Sequence, residues 1–366
     1  DAPQPSAVLI KYSPTGELLW NYVLYDSDGY PETFGGAIWI DKNDNIFISI
    51  GLASGADNYH YICQFQTDGS ISWSEISSID GSGNFTVTDM QGDNEGNLYC
   101  LGVHSYDAGD GSSWSFAIMK TPAADEPSVA SKLFNNHGDD MYVWGLDVKS
   151  DSVVVTGEIW VGPVGWKTYL AKLDTDLNLV WHETITDGSN WSDAGSVSRD
   201  AEGNIYIAGE SDGGSHVMKF DTNGQLLWQR IIDDGNGTFA SVIQVDTDGS
   251  LYVCGITFDT DTGGSGLWIA NLDADNGYTK WINIWNSLSE NTWNWYWYNN
   301  AHRSLAIKDD VLTVAGNTYA GTHPGEQLWD SNSIIVSVPK DGTVADNRFV
   351  NFNYTKATWF TNDAIT

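Results

Sequence analysis

The residues best suited to chemistry in this chain are concentrated in one insertion and the segment after it. Ser289-Glu-Asn-Thr-Trp-Asn-Trp-Tyr-Trp-Tyr-Asn-Asn300 carries Trp293, Trp295, Tyr296, Trp297 and Tyr298, and His302-Arg303 follows directly. In extended chain the alternation places three indoles on one side and the tyrosines on the other. Indole faces stack on pyranose C–H faces, and the interspersed amides and carboxylates suit sugar hydroxyls. Leaving such rings in water forfeits roughly 150–250 Å² of burial each. The insertion therefore contacts carbohydrate, plugs a loop-built core, or anchors a protein partner, for which Trp and Tyr are favoured. Trp160, Trp166 and Trp191 belong to the same aromatic loop set. His302, Arg303 and Tyr298 have the types a polysaccharide lyase requires: a cation to neutralise a uronate and a base to take the C5 proton. Arg199 is a candidate second cation. The structural alternative is that His302 and Arg303 simply pair with nearby carboxylates.

Acids are abundant in the same loops, including Asp139, Asp140, Asp187 and Asp193, and chiefly read as a solvated surface. A Ca²⁺ reading centres on Asp107-Ala-Gly-Asp110 and Asp259-Thr-Asp261, since calcium takes clustered oxygen ligands. The turns Asp221-Thr-Asn-Gly and Asp246-Thr-Asp-Gly also invite calcium, but tight hairpins use the same residues, and no distal Glu completes an EF-type loop. Glycoside hydrolysis needs two facing carboxylates, and sequence cannot select a pair from so many. Cys63, Cys100 and Cys254 show no metal or redox spacing, and neither a nucleophile elbow, a P-loop nor a Rossmann fingerprint occurs.

With 16 Lys and Arg against 49 Asp and Glu, the formal charge is −33. Nucleic acid and anionic membrane surfaces, which both need a basic footprint, are poor partners. The same charge opposes a polyanionic substrate, although local patches can override the mean. Hydrophobic residues make up 41%, enough for a substantial core, and no apolar run reaches the ~20 residues of a membrane helix. An acidic, Trp-rich chain beginning at Asp1 fits a secreted, processed protein.

The elements that must position these residues come from an internal repeat. One unit reads Asp200-Ala-Glu-Gly-Asn-Ile-Tyr-Ile-Ala-Gly209, with relatives at Asp41 to Gly51, Asp93 to Gly102, Asp147 to Gly157 and Asp246 to Gly255. A second reads Lys219-Phe-Asp-Thr-Asn-Gly-Gln-Leu-Leu-Trp228, with relatives ending at Trp20, Trp73, Trp181 and Trp281. Each is two period-2 strands about a Gly, Asn or Asp turn, so each repeat supplies four strands, a to d. Trp at that fixed position packs neighbouring blades, as stacked units require. Such a repeat is a β-propeller blade, here spanning about 34–77, 84–134, 139–186, 193–233, 238–286 and 301–352. Residues 8–25 joined with 362–366 supply a seventh blade, predicting one all-β seven-bladed domain over 1–366 whose ring the chain ends close.

The Asp-x-x-Gly-Asn-Ile-Tyr-Ile-Ala-Gly core and the Gly-x-Leu-Leu-Trp strand end resemble bacterial secreted seven-bladed β-propeller repeat proteins of the PQQ-like or SBBP type. The resemblance implies architecture over nearly the whole chain, not activity. The family's quinone enzymes would need a longer chain and adjacent cysteines. The b–c and d–a loops, long and variable on a regular scaffold, are the face expected to act. The expectation is a secreted or cell-surface binding module with polysaccharide or another glycan as ligand. A carbohydrate-active lyase and a structural propeller within a larger surface assembly remain alternatives.

Overall fold

The computed structural model describes residues 7–13, 17–24, 32–54, 57–77, 85–107, 112–121, 130–134, 140–186, 191–212, 214–233, 237–259, 264–287, 304–319, 331–343, 352–356 and 360–363. The first strands are β1 (Ala7–Tyr12), β2 (Leu18–Leu24), β3 (Glu32–Ile40), β4 (Ile46–Ser54), β5 (Asp57–Phe65) and β6 (Ile71–Ser77). There follow β7 (Phe85–Gly92), β8 (Leu98–Asp107), β9 (Ser112–Thr121), β10 (Ala130–Phe134), β11 (Met141–Lys149), β12 (Ser152–Trp160), β13 (Trp166–Leu173) and β14 (Leu179–Ile185). Next come β15 (Ser196–Arg199), β16 (Ile205–Ser211), β17 (Gly214–Phe220), β18 (Leu226–Asp233), β19 (Thr238–Val245), β20 (Leu251–Asp259), β21 (Gly264–Leu272) and β22 (Thr279–Ser287). The last are β23 (Leu305–Lys308), β24 (Val311–Tyr319), β25 (Ser331–Pro339), β26 (Phe352–Lys356) and β27 (Phe360–Asp363).

Strands β3–β6, β7–β10, β11–β14, β15–β18 and β19–β22 are each consecutive neighbours in one sheet, the four-strand meander of a propeller blade. Strands β23–β25 form the described part of a sixth. The expectation of seven four-stranded blades, the last shared between the chain ends, is corrected: among the described residues there are six. Among the described residues, strands β1 and β2 pair only with each other, while β27 pairs antiparallel with β18 and β26 with β22. The reason is that the outermost strand of a blade presents an unpaired row of N–H and C=O groups. A short alternating segment satisfies that edge as readily as it would begin a new blade, and period-2 patterning cannot tell the two apart.

Two compact units can be distinguished, residues 1–153 with 173–178, and residues 154–172 with 179–366. The same devices join successive blades within each. In the second, Asp200 Oδ1 accepts from the Asn204 amide (2.8 Å), and its Oδ2 accepts from Asn204 Nδ2 (2.8 Å) and the Tyr206 hydroxyl (3.1 Å). The Lys219 ammonium lies 4.9 Å from the Tyr206 ring centroid and donates to Ala274 O (3.1 Å) in the next blade's turn. Trp228 Nε1 donates to that same oxygen (3.2 Å). Lys172 and Trp181 repeat the grip on Thr222 O, both at 3.4 Å. In the first unit, Asp93 holds Asn97 and Tyr99, and Lys120 over Tyr99 donates to Thr175 O (3.1 Å). Lys11 (2.8 Å) and Trp20 (3.4 Å) take Thr67 O. The repeat motif is thereby consumed by architecture.

A second tie runs along the blades' first strands. Asp89 Oδ2 accepts from the Leu146 amide (2.8 Å) and Gln91 Oε1 from Val148 (2.6 Å). In the other unit, Ser196 and Ser198 hydroxyls accept from the Ile243 (3.2 Å) and Val245 (3.1 Å) amides. Edge-strand donors that lack a ladder partner are satisfied this way. The blade glycines allow strands a and b to close up: a Cβ at Gly102, Gly209 or Gly255 would collide with the carbonyl oxygen of Thr86, Asp193 or Phe239.

Two outcomes follow. Gly255→Ala forces the Phe239 carbonyl outward and lowers stability by about 1–3 kcal/mol, read as a reduced urea midpoint at unchanged slope. Trp228→Phe keeps a ring but loses the indole donor, costing about 1 kcal/mol in the same measurement.

Candidate functional site

The described part of the b–c and d–a face departs from the repeat at the position after the blade glycine. The residue after the blade glycine is Leu52, Val103 or Ile256 in three blades and Asn317 in the sixth, but Glu158 after Gly157 and Glu210 after Gly209. Both acids belong to the second unit. The segment Trp191-Ser-Asp193, entering β15, lies between them. The Ser192 amide donates to Trp166 O (3.1 Å), and Ser192 Oγ accepts from the Thr168 amide (3.2 Å). Asp193 and Glu210 form a reciprocal pair: the Asp193 amide donates to Glu210 O (3.0 Å), and the Glu210 amide to Asp193 Oδ1 (3.1 Å). Trp191 Nε1 donates to Glu158 Oε2 (3.1 Å).

Beside this segment the turn Val161–Gly165 folds β12 back into β13, with positive φ at Gly162 (47°) and Gly165 (85°) and a Val161 N–H to Gly165 O bond of 3.0 Å. It sets Trp160 and Trp166 edge to face, centroids 5.4 Å apart at 62°. Trp160 is 39% exposed, a large indole surface left to solvent. Of the three indoles singled out from sequence, Trp160 and Trp166 are in ring contact, while Trp191 is joined to β12 through Glu158 and stands next to Ser192, whose amide bonds Trp166 O.

The electrostatics are unusual for surface acids. Burial, and then the Asp193 charge, push the Glu158 carboxyl up to about 8, with the Trp191 hydrogen bond opposing. Asp193 and Glu210 are also raised, first by burial; for Glu210 the charges of Asp193 and Glu158 add to it. Glu210 Oε2 is buried without a hydrogen-bond partner. Removing an unpartnered carboxylate from water is costly, so protonation is favoured. Turn carboxylates behave oppositely: backbone and side-chain donors hold Asp68, Asp174 and Asp221 below the usual range.

Sequence reasoning named Asp193 only as one rim acid and passed over Glu158 and Glu210. The signal was present, since aligning the repeats places two acids where Leu52, Val103 and Ile256 stand. Trp293, Trp295, Trp297, Tyr298, His302 and Arg303 lie outside the described residues. Asp107 and Asp259 end β8 and β20, while Asp110 and Asp261 lie outside the described residues. Among the described residues no group of three or more His, Cys, Asp or Glu is placed to hold a metal ion. The Asp221 carboxylate is occupied by the Asn223 (2.8 Å) and Gln225 (2.9 Å) amides, the hairpin role rather than a calcium one. Arg199 ends β15 and is 6% exposed. Burial raises all three cysteine thiols, Cys63 to about 11, and lowers His60 to about 4, leaving them neutral.

Because the folded site holds more protons than the unfolded chain, its stabilising contribution is full below the ordinary carboxyl range and declines as pH rises through the raised values. The turn aspartates contribute in the opposite sense, losing stability as pH falls. The expected outcome is a melting temperature that declines between about pH 6 and pH 9, and declines less in Glu158→Gln, as followed by scanning fluorimetry.

No protein-family profile matches the chain, and no curated protein matches it. Solved structures resemble it at low identity. An alpha-L-arabinanase of Penicillium chrysogenum is 12% identical, with TM-score 0.45, over 78% of this chain and 95% of that one. A gluconolactonase of Xanthomonas campestris is 14% identical, with TM-score 0.36, over 61% and 82%. A subtype N10 neuraminidase-like protein of A/little yellow-shouldered bat/Guatemala/060/2010 is 12% identical, with TM-score 0.42, over 70% and 79%. At these values the likenesses say nothing of what this chain binds or does. Among the described residues no helix is long and apolar enough to cross a membrane.

Proposed function

We propose that this chain is a secreted or cell-surface carbohydrate-binding module of β-propeller blades, with Trp160, Trp166 and Trp191 as its described binding surface. The observation that supports the reading most is the edge-to-face Trp160–Trp166 pair, with Trp160 exposed, next to the segment that carries Trp191, whose indole donor is already engaged by Glu158. Rigid indoles held by backbone bonds offer sugar C–H faces a surface whose ordering cost is met in advance. Glu158 and Asp193 add acceptors for hydroxyls. Neutral glycans fit better than uronates, which the overall charge of −33 repels. The insertion with Trp293, Trp295 and Trp297 is assigned to the same ligand class on its sequence.

A second reading is favoured by one observation, a carboxyl held protonated near neutrality beside another acid. Glu158 would act as general acid and Asp193 as base in glycoside hydrolysis.

Size-exclusion chromatography with a panel of neutral and acidic polysaccharides, with and without Ca²⁺, separates the two. Intact neutral polymer co-eluting with the protein is expected, and Trp160→Ala/Trp166→Ala should weaken binding about tenfold or more at an unchanged far-UV spectrum. Shortened polymer would establish the hydrolase instead, and no interaction with any polymer would sink both.

A further inference from the structure

Between Trp160 and Trp166 the chain reads Val161-Gly-Pro-Val-Gly165, without one charged or hydrogen-bonding side chain. The corresponding b–c connections of the other blades contain or adjoin Asp57, Asp110, Asp212, Asp261 and Glu326. The backbone donors of this turn are spent as well. The Val161, Val164 and Gly165 amides donate to Gly165 O (3.0 Å), Val161 O (3.0 Å) and Gly162 O (3.3 Å), and Pro163 has no N–H. Yet the turn is presented to solvent: Val164 is 49% exposed beside Trp160 at 39%, and Pro163 is exposed too. A Cβ built at Gly162 meets nothing within 4 Å, so the space over the turn is open. An open, rigid and apolar shelf thus adjoins the one indole pair proposed to stack on sugar.

We propose that this surface selects neutral glycans whose sugars carry methyl-terminated substituents, either an O-acetyl ester or the C6 methyl of a deoxyhexose, seated against Val161, Pro163 and Val164. The inference rests on the carbohydrate-binding function above and names the class of sugar. A ring stacked on Trp160 carries its substituents over the adjoining turn. A hydroxyl placed there gives up water and finds no side chain to bond. A methyl group in the same place leaves water for the Val and Pro surface, which favours binding about fourfold per methyl. A uronate would set its charge on the same apolar shelf with no cation to meet it, since Lys167, the next residue after Trp166, is buried.

The test is titration of the full chain, followed by tryptophan fluorescence, with two pairs of neutral polymers. One pair is acetylated galactoglucomannan and the same polymer after mild alkaline deacetylation; the other is a rhamnan and an unsubstituted mannan. Binding about threefold tighter or more within the first pair assigns the acetyl ester, and within the second the deoxyhexose methyl. Val164→Thr, which keeps the shape of an exposed side chain and exchanges a methyl for a hydroxyl, should bring the ratio below about twofold. Val161→Thr serves as a second variant if the first does not fold. Equal or weaker binding of the substituted polymer in both pairs, or an undiminished ratio in both variants, overturns this inference and leaves the binding function standing. Binding of none of the four polymers removes the binding function and this inference with it.

Discussion

The interaction on which the rest of the structure depends is the capture of one carbonyl oxygen in the next blade's turn by a lysine and a tryptophan. Lys219 and Trp228 both donate to Ala274 O. For that oxygen to be presented, the turn must be tight, and Gly277 at φ 79° lies so close to the Trp228 ring that a Cβ would meet it at 2.7 Å. For the lysine to reach it, Tyr206 must lie beneath the ammonium, and Asp200 must hold Tyr206 by its hydroxyl. The motif from Asp200 to Gly209 is therefore a mechanical chain, in which each residue type follows from the one before. Stacked repeats owe their stability to such nearest-neighbour terms.

Once the motif is accounted for by architecture, function is to be sought where blades depart from it. Most departures are neutral. Asp44 at φ 62° takes the position that glycine fills in other turns, as short polar side chains can. Glu158 and Glu210 are different, because they replace Leu, Val and Ile at a position the fold half-buries. A buried acid costs stability unless it is protonated or paired. Such a cost, twice over and on adjoining blades, sits beside Trp191 on the segment that connects those blades and beside the β12–β13 turn that carries Trp160 and Trp166.

The molecule thus carries opposite pH responses in different places. Turn carboxylates, solvated and bonded to amides, stabilise when ionised. The carboxyls around Trp191–Asp193 stabilise when protonated. The difference lies in surroundings rather than in residue type, since Asp193 and Asp221 are chemically the same group.

Much was legible in the sequence because local chemistry fixes it. Strands fell where the repeat placed them: the unit from Asp41 to Gly51 contains the start of Ile46–Ser54, and the blade predicted at 34–77 ends with Ile71–Ser77. The Asp and Gly turns, the blade glycines and the packing role of Trp20, Trp181 and Trp228 follow from spacing, since a repeat must reuse one contact. The rest was decided by tertiary structure. The destination of the C-terminal strands depended on which open edge lay within reach, and period-2 patterning is identical for an inner strand and an added outer one. The meeting of Glu158, Asp193 and Glu210 also could not be read from spacing, because they stand 35 and 17 positions apart, and only the folding of β12 and β16 beside the segment entering β15 brings their carboxyls together.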